Sequence, residues 1–363
     1  MKIICLTKRR PLGRDLWERP YGRFYYLTKG LAEKGHQVHL VLANYKKEDE
    51  FSITRDGFRW HSVNVNPNPF NYHRYVKNLA VEENADLMIG FSDIYFGILA
   101  EKISSQIGCL SLIDAYDNYE SYLSWCKPLH WIWRRALNKA SGITAAGPEL
   151  LAKLCGDRTK KTGSEMVIPM CADPVFFPRD KTKSRESFGI PKDKFVIGYS
   201  GSISNKRDIN ILIDVLQRIY KSHPNVINIF SGHNKNNKKF PPNTHWLGYI
   251  DDEMMPELFS SFDVSLSMNK NSAFGNYSYP IKIYESLACG ASVLASRTMS
   301  TEYVLEECAQ ALFDAEDVDA LHKKLLKFLK EPFHYSLSKD SWTQRSDELH
   351  VLISYLARNN SFK

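Results

Sequence analysis

The chain has 363 residues, 43% of them hydrophobic and 25% charged, with a formal net charge of +7, which is room for two ordinary domains of a soluble globular protein. No apolar run approaches the length of a membrane span, and the opening MKIICLTKRR reverses the order of a secretory signal. Seven cysteines without a C-x-x-C spacing exclude a disulfide framework and a zinc site, so the cytoplasm is the expected compartment; the spread positive charge suits an anionic substrate or membrane face and has no nucleic-acid motif in it.

Residues 2–6 (KIICL) are expected as a buried strand, 22–34 as an amphipathic helix closed by Gly35, and 37–43 (QVHLVLA) as the next strand. Strand, crossover helix and strand make a right-handed βαβ unit of a parallel sheet. The connection TKRRPLGRDLWERPYG is long and basic, and loops leaving the carboxyl ends of parallel strands build the ligand crevice. Gly22 at the helix start either lets a substrate approach the backbone or is a simple turn glycine.

The alternation continues with strand 58–65, helix 72–83, strand 86–91, helix 94–106 and strand 109–113. Asp114 follows that strand directly and Asp117 lies further into the loop, where each reads as a catalytic carboxylate or a helix cap. In PLHWIWRRALNK, Trp131, Trp133, Arg134 and Arg135 either form a face for anionic lipid or divide into core tryptophans and solvent arginines. Strands 143–146 and 166–169 complete this half. The charged stretch 179–193 is the expected linker.

A fresh α/β pattern starts at strand 195–200 and helix 208–221. Between them runs Gly201-Ser202-Ile203-Ser204-Asn205-Lys206-Arg207, where two adjacent cations before a helix suit a diphosphate. Strand 226–230, strand 245–250 (HWLGYI), helix 252–261, strand 263–267 and a polar loop 268–279 follow. Then comes YPIKIYESLACG. Pro280 fits the first helical turn, and Gly290 fits the left-handed position after the last. Lys282 and Glu285, three apart, project from one side near the helix start: a phosphate ligand and a ribose-diol ligand, or an ordinary surface pair. Strand 291–296 and helices 315–330 and 341–358 end the chain.

These motifs in this order resemble glycosyltransferase family 4, the group 1 glycosyltransferases. Those quoted for the likeness are AEKGHQVHLVL, VIPMCADPVFFP, GYSGSISNKRDINIL, WLGYI and YPIKIYESLACGASVLAS. The resemblance spans the whole chain and implies a GT-B fold, two Rossmann-like doubly wound parallel-sheet domains facing a central cleft. The expected domains are 1–178, completed by helix 341–363, and 194–340. By resemblance, Gly201, Ser202, Lys206, Arg207, Gly248, Tyr249, Tyr279, Ile281, Lys282 and Glu285 bind the donor, with Glu285 on the ribose and Gly248 and Tyr249 by the base. Arg207 and Lys282 carry the diphosphate chemistry. Gly22 and Asp114 stand on the acceptor side, and Asp117, with Tyr116 in place of the family's histidine, is the catalytic candidate there; the acceptor-site base is open between Asp117 and Asp114. Ser202 replaces the family's usual arginine, and Tyr277 stands where the first of its paired glutamates would be.

The implied reaction is retaining, metal-independent transfer of a hexosyl unit from a UDP- or GDP-sugar to a glycan or lipid-linked glycan in surface polysaccharide synthesis. No cofactor is implied, and no Asp-x-Asp pair occupies a loop suited to a metal. The replaced glutamate and histidine leave two rivals, a GT-B sugar-nucleotide epimerase and a non-catalytic sugar-nucleotide-binding partner.

Overall fold

The computed structural model describes the chain except residues 157, 159–162, 204–208, 235–237, 336, 338–340 and 361–363. It divides into two compact units, Met1–Met170 with Asp340–Lys363, and Cys171–Lys339.

The first unit runs β1 (Lys2–Lys8), α1 (Gly22–Glu33), β2 (Gln37–Asn44), β3 (Phe51–Arg55), β4 (Phe58–Asn64), α2 (Phe70–Glu82) and β5 (Leu87–Gly90). It continues with α3 (Ile94–Ile107), β6 (Leu110–Ala115), α4 (Lys127–Lys139), β7 (Gly142–Ala145), α5 (Pro148–Cys155) and β8 (Glu165–Val167). The strand order is β3-β4-β2-β1-β5-β6-β7-β8, parallel throughout except β3 against β4. That hairpin is not among the expected elements, because its strand is largely exposed and lacks an apolar run. Its turn signal is nonetheless in the sequence: Asp56 and Gly57 both take positive φ, as a two-residue hairpin turn requires. Ile3, Ile4, Cys5 and Leu6 of β1 are fully enclosed, as expected of a parallel strand covered on both faces.

The second unit runs α6 (Lys181–Ser187), β9 (Phe195–Ser200), α7 (Ile209–Ser222), β10 (Val226–Ser231), β11 (Thr244–Trp246), α8 (Met255–Ser260) and β12 (Val264–Ser267). Then come α9 (Ile281–Ala288), β13 (Ser292–Arg297), α10 (Met299–Val304), β14 (Leu312–Asp314) and α11 (Val318–Lys330). Its sheet order is β11-β10-β9-β12-β13-β14, and every pairing is parallel. Leu212, Leu216 and Ile219 of α7 share one core with Leu321, Leu325 and Phe328 of α11. Leu258 and Phe259 of α8 pack with Phe262 in another.

The stretch 179–193 is not a free linker. It folds as α6 inside the second unit because the buried Arg185 spreads its donors over Ser261 O (3.1 Å), Lys192 O (2.8 Å) and the Asp263 carboxylate (2.7 Å). Asp263 also accepts from Val196 N at 2.6 Å, which ties the helix to the first strand of its sheet. The unit accordingly begins at Cys171 rather than at 194.

The last helix, α12 (Trp342–Asn360), returns to the first unit and packs on α1. Trp342 stacks on Tyr26 with planes 6° apart and centroids 5.8 Å apart. Ser346 crosses Gly30 so closely that a Cβ there would sit 2.1 Å from its Oγ. His36 and His350 share a 2.9 Å hydrogen bond further along the same seam.

Candidate active site

In an open parallel sheet the ligand crevice lies outside the carboxyl ends of the strands, where the strand order reverses. In the second unit that point is between β9 and β12. Three chain segments leaving β9, β10 and β11 are laced together there: Gly201 N donates to Ser231 O (3.0 Å), Ile203 N to His233 O (2.9 Å) and Gly232 N to Gly248 O (2.7 Å). The approach requires glycine at 232. Its φ is +115°, and a Cβ would lie 2.3 Å from the Gly201 carbonyl oxygen. Gly248 has φ +70° with open space where a side chain would be, so its backbone is accessible to a ligand. Tyr249 beside it is exposed, and its ring lies 20° from parallel to that of His233 with centroids 5.9 Å apart. Ser202 is exposed at the end of β9. Lys206 and Arg207 lie outside the described residues.

On the other side of the reversal, the loop after β12 leads into α9. Ser300 Oγ of α10 donates to Gly275 O (3.1 Å) and Ser278 O (2.8 Å), which fixes the loop. Tyr279 is buried with its ring edge-on to Tyr303 at 6.2 Å. Pro280 is the residue before the helix, at ψ 105°, not in the first turn; α9 begins at Ile281, and Ile283 N donates to Pro280 O at 3.0 Å. Gly290 closes the helix at φ +83° as expected. Lys282 and Glu285 meet: the ammonium lies 2.7 Å from Glu285 Oε2. Among the described residues that ion pair is the contact Oε2 makes, and no hydrogen bond reaches this buried oxygen. Lys282 also stands 5.3 Å from the Phe259 ring centroid. Burial, and after it the Glu285 carboxylate, pushes the nearby Cys289 thiol up to about 12, so that cysteine stays protonated.

In the first unit the order reverses between β1 and β5. Gly22 opens α1 at φ +66°, with open space where its Cβ would be. Two of the basic residues of the preceding loop, Arg9 and Arg10, are committed to acidic and polar partners within the fold. Arg9 reaches Asp15 (3.0 Å), Ser62 (3.2 Å) and Glu48 (2.9 Å), while Arg10 holds Asn44 (2.8 Å) and Glu48 (2.7 Å).

The two acidic candidates, Asp114 in β6 and Asp117 just after it, part company. Asp114 is enclosed, accepting from Arg23 Nε (2.8 Å), Arg23 Nη2 (2.6 Å) and Thr144 Oγ1 (2.6 Å), and Arg23 continues to Ile168 O at 2.6 Å. It is a structural ion pair that ties α1 to the middle of the sheet. Asp117 lies further out and accepts from Tyr122 Oη at 2.5 Å. Burial, then the Asp117 carboxylate, holds the Tyr122 hydroxyl well above its usual range, so it stays a donor. Tyr116, in the family's histidine position, packs on Phe24 (5.5 Å) and Tyr119 (5.7 Å) and is itself buried against ionisation. Arg23 and Tyr122 were missed from sequence. The only signal for Tyr122 is the repeat of tyrosines at 116, 119 and 122. Among the described residues no three His, Cys, Asp or Glu side chains gather closely enough to hold a metal ion.

Two family models match the chain. Residues 180–346 match "Glycosyl transferases group 1", and residues 23–157 match "Glycosyl transferase 4-like domain". The chain belongs to the group 1, family 4-type glycosyltransferases. No curated protein sequence matches this glycosyltransferase. Among solved structures, a sucrose-phosphate synthase from Thermosynechococcus elongatus superposes with a TM-score of 0.71 at 15% identity, over 99% of this chain and 97% of its own. Anabaena Alr3699/HepE, solved in complex with UDP and glucose, gives 0.69 at 14% identity over 99% and 98%. WaaG, a glycosyltransferase involved in lipopolysaccharide biosynthesis, gives 0.65 at 15% over 100% and 99%. These likenesses establish the GT-B fold of the enzyme.

Proposed function

We propose that this glycosyltransferase moves a hexosyl unit from a nucleoside diphosphate sugar, with retention and without a bound metal, to a glycan or lipid-linked glycan acceptor of surface polysaccharide synthesis on the cytoplasmic side. The observation that carries the reading is the Lys282–Glu285 pair at the start of α9, beside the strand-order reversal of the second unit. A buried carboxylate with an oxygen that accepts no hydrogen bond among the described residues is suited to accept from a ribose diol. The ammonium beside it would turn to the diphosphate, whose leaving charge must be neutralised as the anomeric bond breaks. Lys206 and Arg207 supply the remaining cations by resemblance, with Ser202, Tyr279 and Ile281 around the donor and Gly248 and Tyr249 at the base. The likeness to a protein solved with UDP favours a UDP-sugar. On the acceptor side, where the resemblance also puts Gly22, Asp117 takes the catalytic role, because Asp114 is committed to Arg23.

Titration calorimetry with UDP and GDP tests the donor site. UDP binds preferentially, and Glu285→Gln weakens it by about tenfold, the loss of one charge-assisted hydrogen bond. Undiminished UDP affinity in that variant removes Glu285 from the site. Lys282→Ala at saturating donor lowers turnover by about a hundredfold or more. Unchanged turnover there removes Lys282 from the diphosphate.

A further inference from the structure

Of the two tryptophans whose roles the sequence leaves open, Trp133 is fully buried and Trp131 is 64% exposed. Trp131 is not alone. The turn before α4 exposes Trp125 (78%) and Leu123 (42%), and α4 exposes Ile132 (42%) next to Trp131. Lys127, Trp131 and Arg135 follow one another at four-residue intervals down the exposed side of α4, with the Arg135 guanidinium 5.7 Å from the Trp131 ring. The opposite side buries His130, Trp133, Ala136 and Leu137.

We propose that this surface, Leu123, Trp125, Trp131 and Ile132 rimmed by Lys127 and Arg135, seats the protein on an anionic lipid bilayer. Four apolar side chains, two of them indoles, gain by entering the boundary between headgroups and acyl chains, and the two cations stand at the level of lipid phosphates. The acid in this region does not oppose that charge: Glu120 is held by Arg134 (2.9 Å) and Lys153 (3.8 Å). No helix among the described residues is long and apolar enough to cross a membrane, so the contact is in-plane. The apolar turn is a fixed feature. His130 Nε2 meets Leu123 O at 3.0 Å, and Cys126 N donates to the same oxygen at 2.9 Å. The turn also contains Tyr122, which holds Asp117. Docking therefore sets the bilayer surface within a few residues of the acceptor-side carboxylate, which identifies the acceptor as lipid-anchored. This last step rests on the acceptor role proposed for Asp117; the docking itself does not.

The test is co-sedimentation of the full chain with vesicles of phosphatidylcholine alone or mixed with phosphatidylglycerol. The protein sediments with the mixed vesicles and far less with the neutral ones. Trp125→Ser/Trp131→Ser lowers the partition constant by about a hundredfold, roughly tenfold for each indole withdrawn from lipid. Lys127→Glu/Arg135→Glu abolishes the preference for phosphatidylglycerol. UDP-induced thermal shifts equal to wild type show that each variant is folded and that its donor site is intact. Equal sedimentation of wild type and the tryptophan variant, absence of sedimentation, or self-association that the tryptophan variant abolishes would each overturn the proposal. A wild-type protein that binds vesicles but not UDP overturns the donor reading and leaves the docking surface standing.

Discussion

The pair of aspartates at the end of β6 and just beyond it shows how little a residue's type says of its use. Asp114 and Asp117 are three positions apart, yet one is locked to Arg23 at the centre of the sheet and the other meets a tyrosine hydroxyl nearer the surface. Removing the charge of a buried, doubly bonded pair leaves its partner uncompensated, so Asp114→Asn should destabilise the fold by about 3–5 kcal/mol. Chemical denaturation reads this directly, and a midpoint near wild type would count against a structural role. Asp117→Asn removes the anion but leaves a group that Tyr122 can still bond. It should cost about 1 kcal/mol or less of stability while turnover falls by about a hundredfold or more. The two variants therefore separate stability from chemistry within four residues of chain.

At the scale of elements, the proposed donor crevice depends on how closely β9 and β10 let their exits run. Gly232→Ala would place a methyl group 2.3 Å from the Gly201 carbonyl at a φ that alanine resists. UDP affinity should drop by about tenfold or more, with the exits of β9 and β10 displaced; unchanged calorimetric affinity would show that the lacing of these exits is not needed for the site. The paired strands β2 and β4 carry a second device. His39 Nδ1 and His61 Nε2 are 3.0 Å apart, and His61 Nδ1 meets Tyr75 Oη at 2.8 Å. Burial, then His39, depresses the His61 imidazole to about 3, and burial lowers His39 as well. Both are neutral in the folded protein at pH 7. Below the ordinary value of 6.5 the unfolded chain takes up the His61 proton while the folded chain does not, so stability falls as pH drops from 6.5 towards 3. The slope is about 1.4 kcal/mol per pH unit for each such proton. Denaturation midpoints measured across that window in wild type and His61→Gln should converge at low pH, and parallel curves would exclude the pair as the cause.

For the molecule as a whole, the first unit is finished only by the last stretch of chain. Alpha-helix α12 covers α1 through Tyr26 and Gly30, and the turn after α1 through His36 and through Lys34, which pairs with Asp347. A side chain at Gly30 would collide with Ser346, so Gly30→Leu should displace α12 and speed proteolysis of the C-terminal segment by about tenfold or more. Cleavage rates equal to wild type would show that α12 tolerates separation. The surface on α4 proposed to dock on anionic lipid belongs to this same unit that α12 completes.

The sequence alone determined the alternation of strands and helices, the two α/β sheets and the family, because apolar periodicity, glycine stops and ordered motifs are local signals. Lys282 and Glu285 on one side of α9 also followed from spacing alone. Tertiary structure decided what spacing cannot encode. The linker became α6 because Asp263, far along the chain, accepts from Arg185. Asp114 is bound inside the fold because Arg23 and Thr144 reach it from other elements. Trp131 and Trp133 are two residues apart on one helix, and only the packing of α4 against its neighbours decided that Trp133 enters the core and Trp131 meets solvent. Partners distant in sequence select among roles that a residue's chemistry leaves equally open.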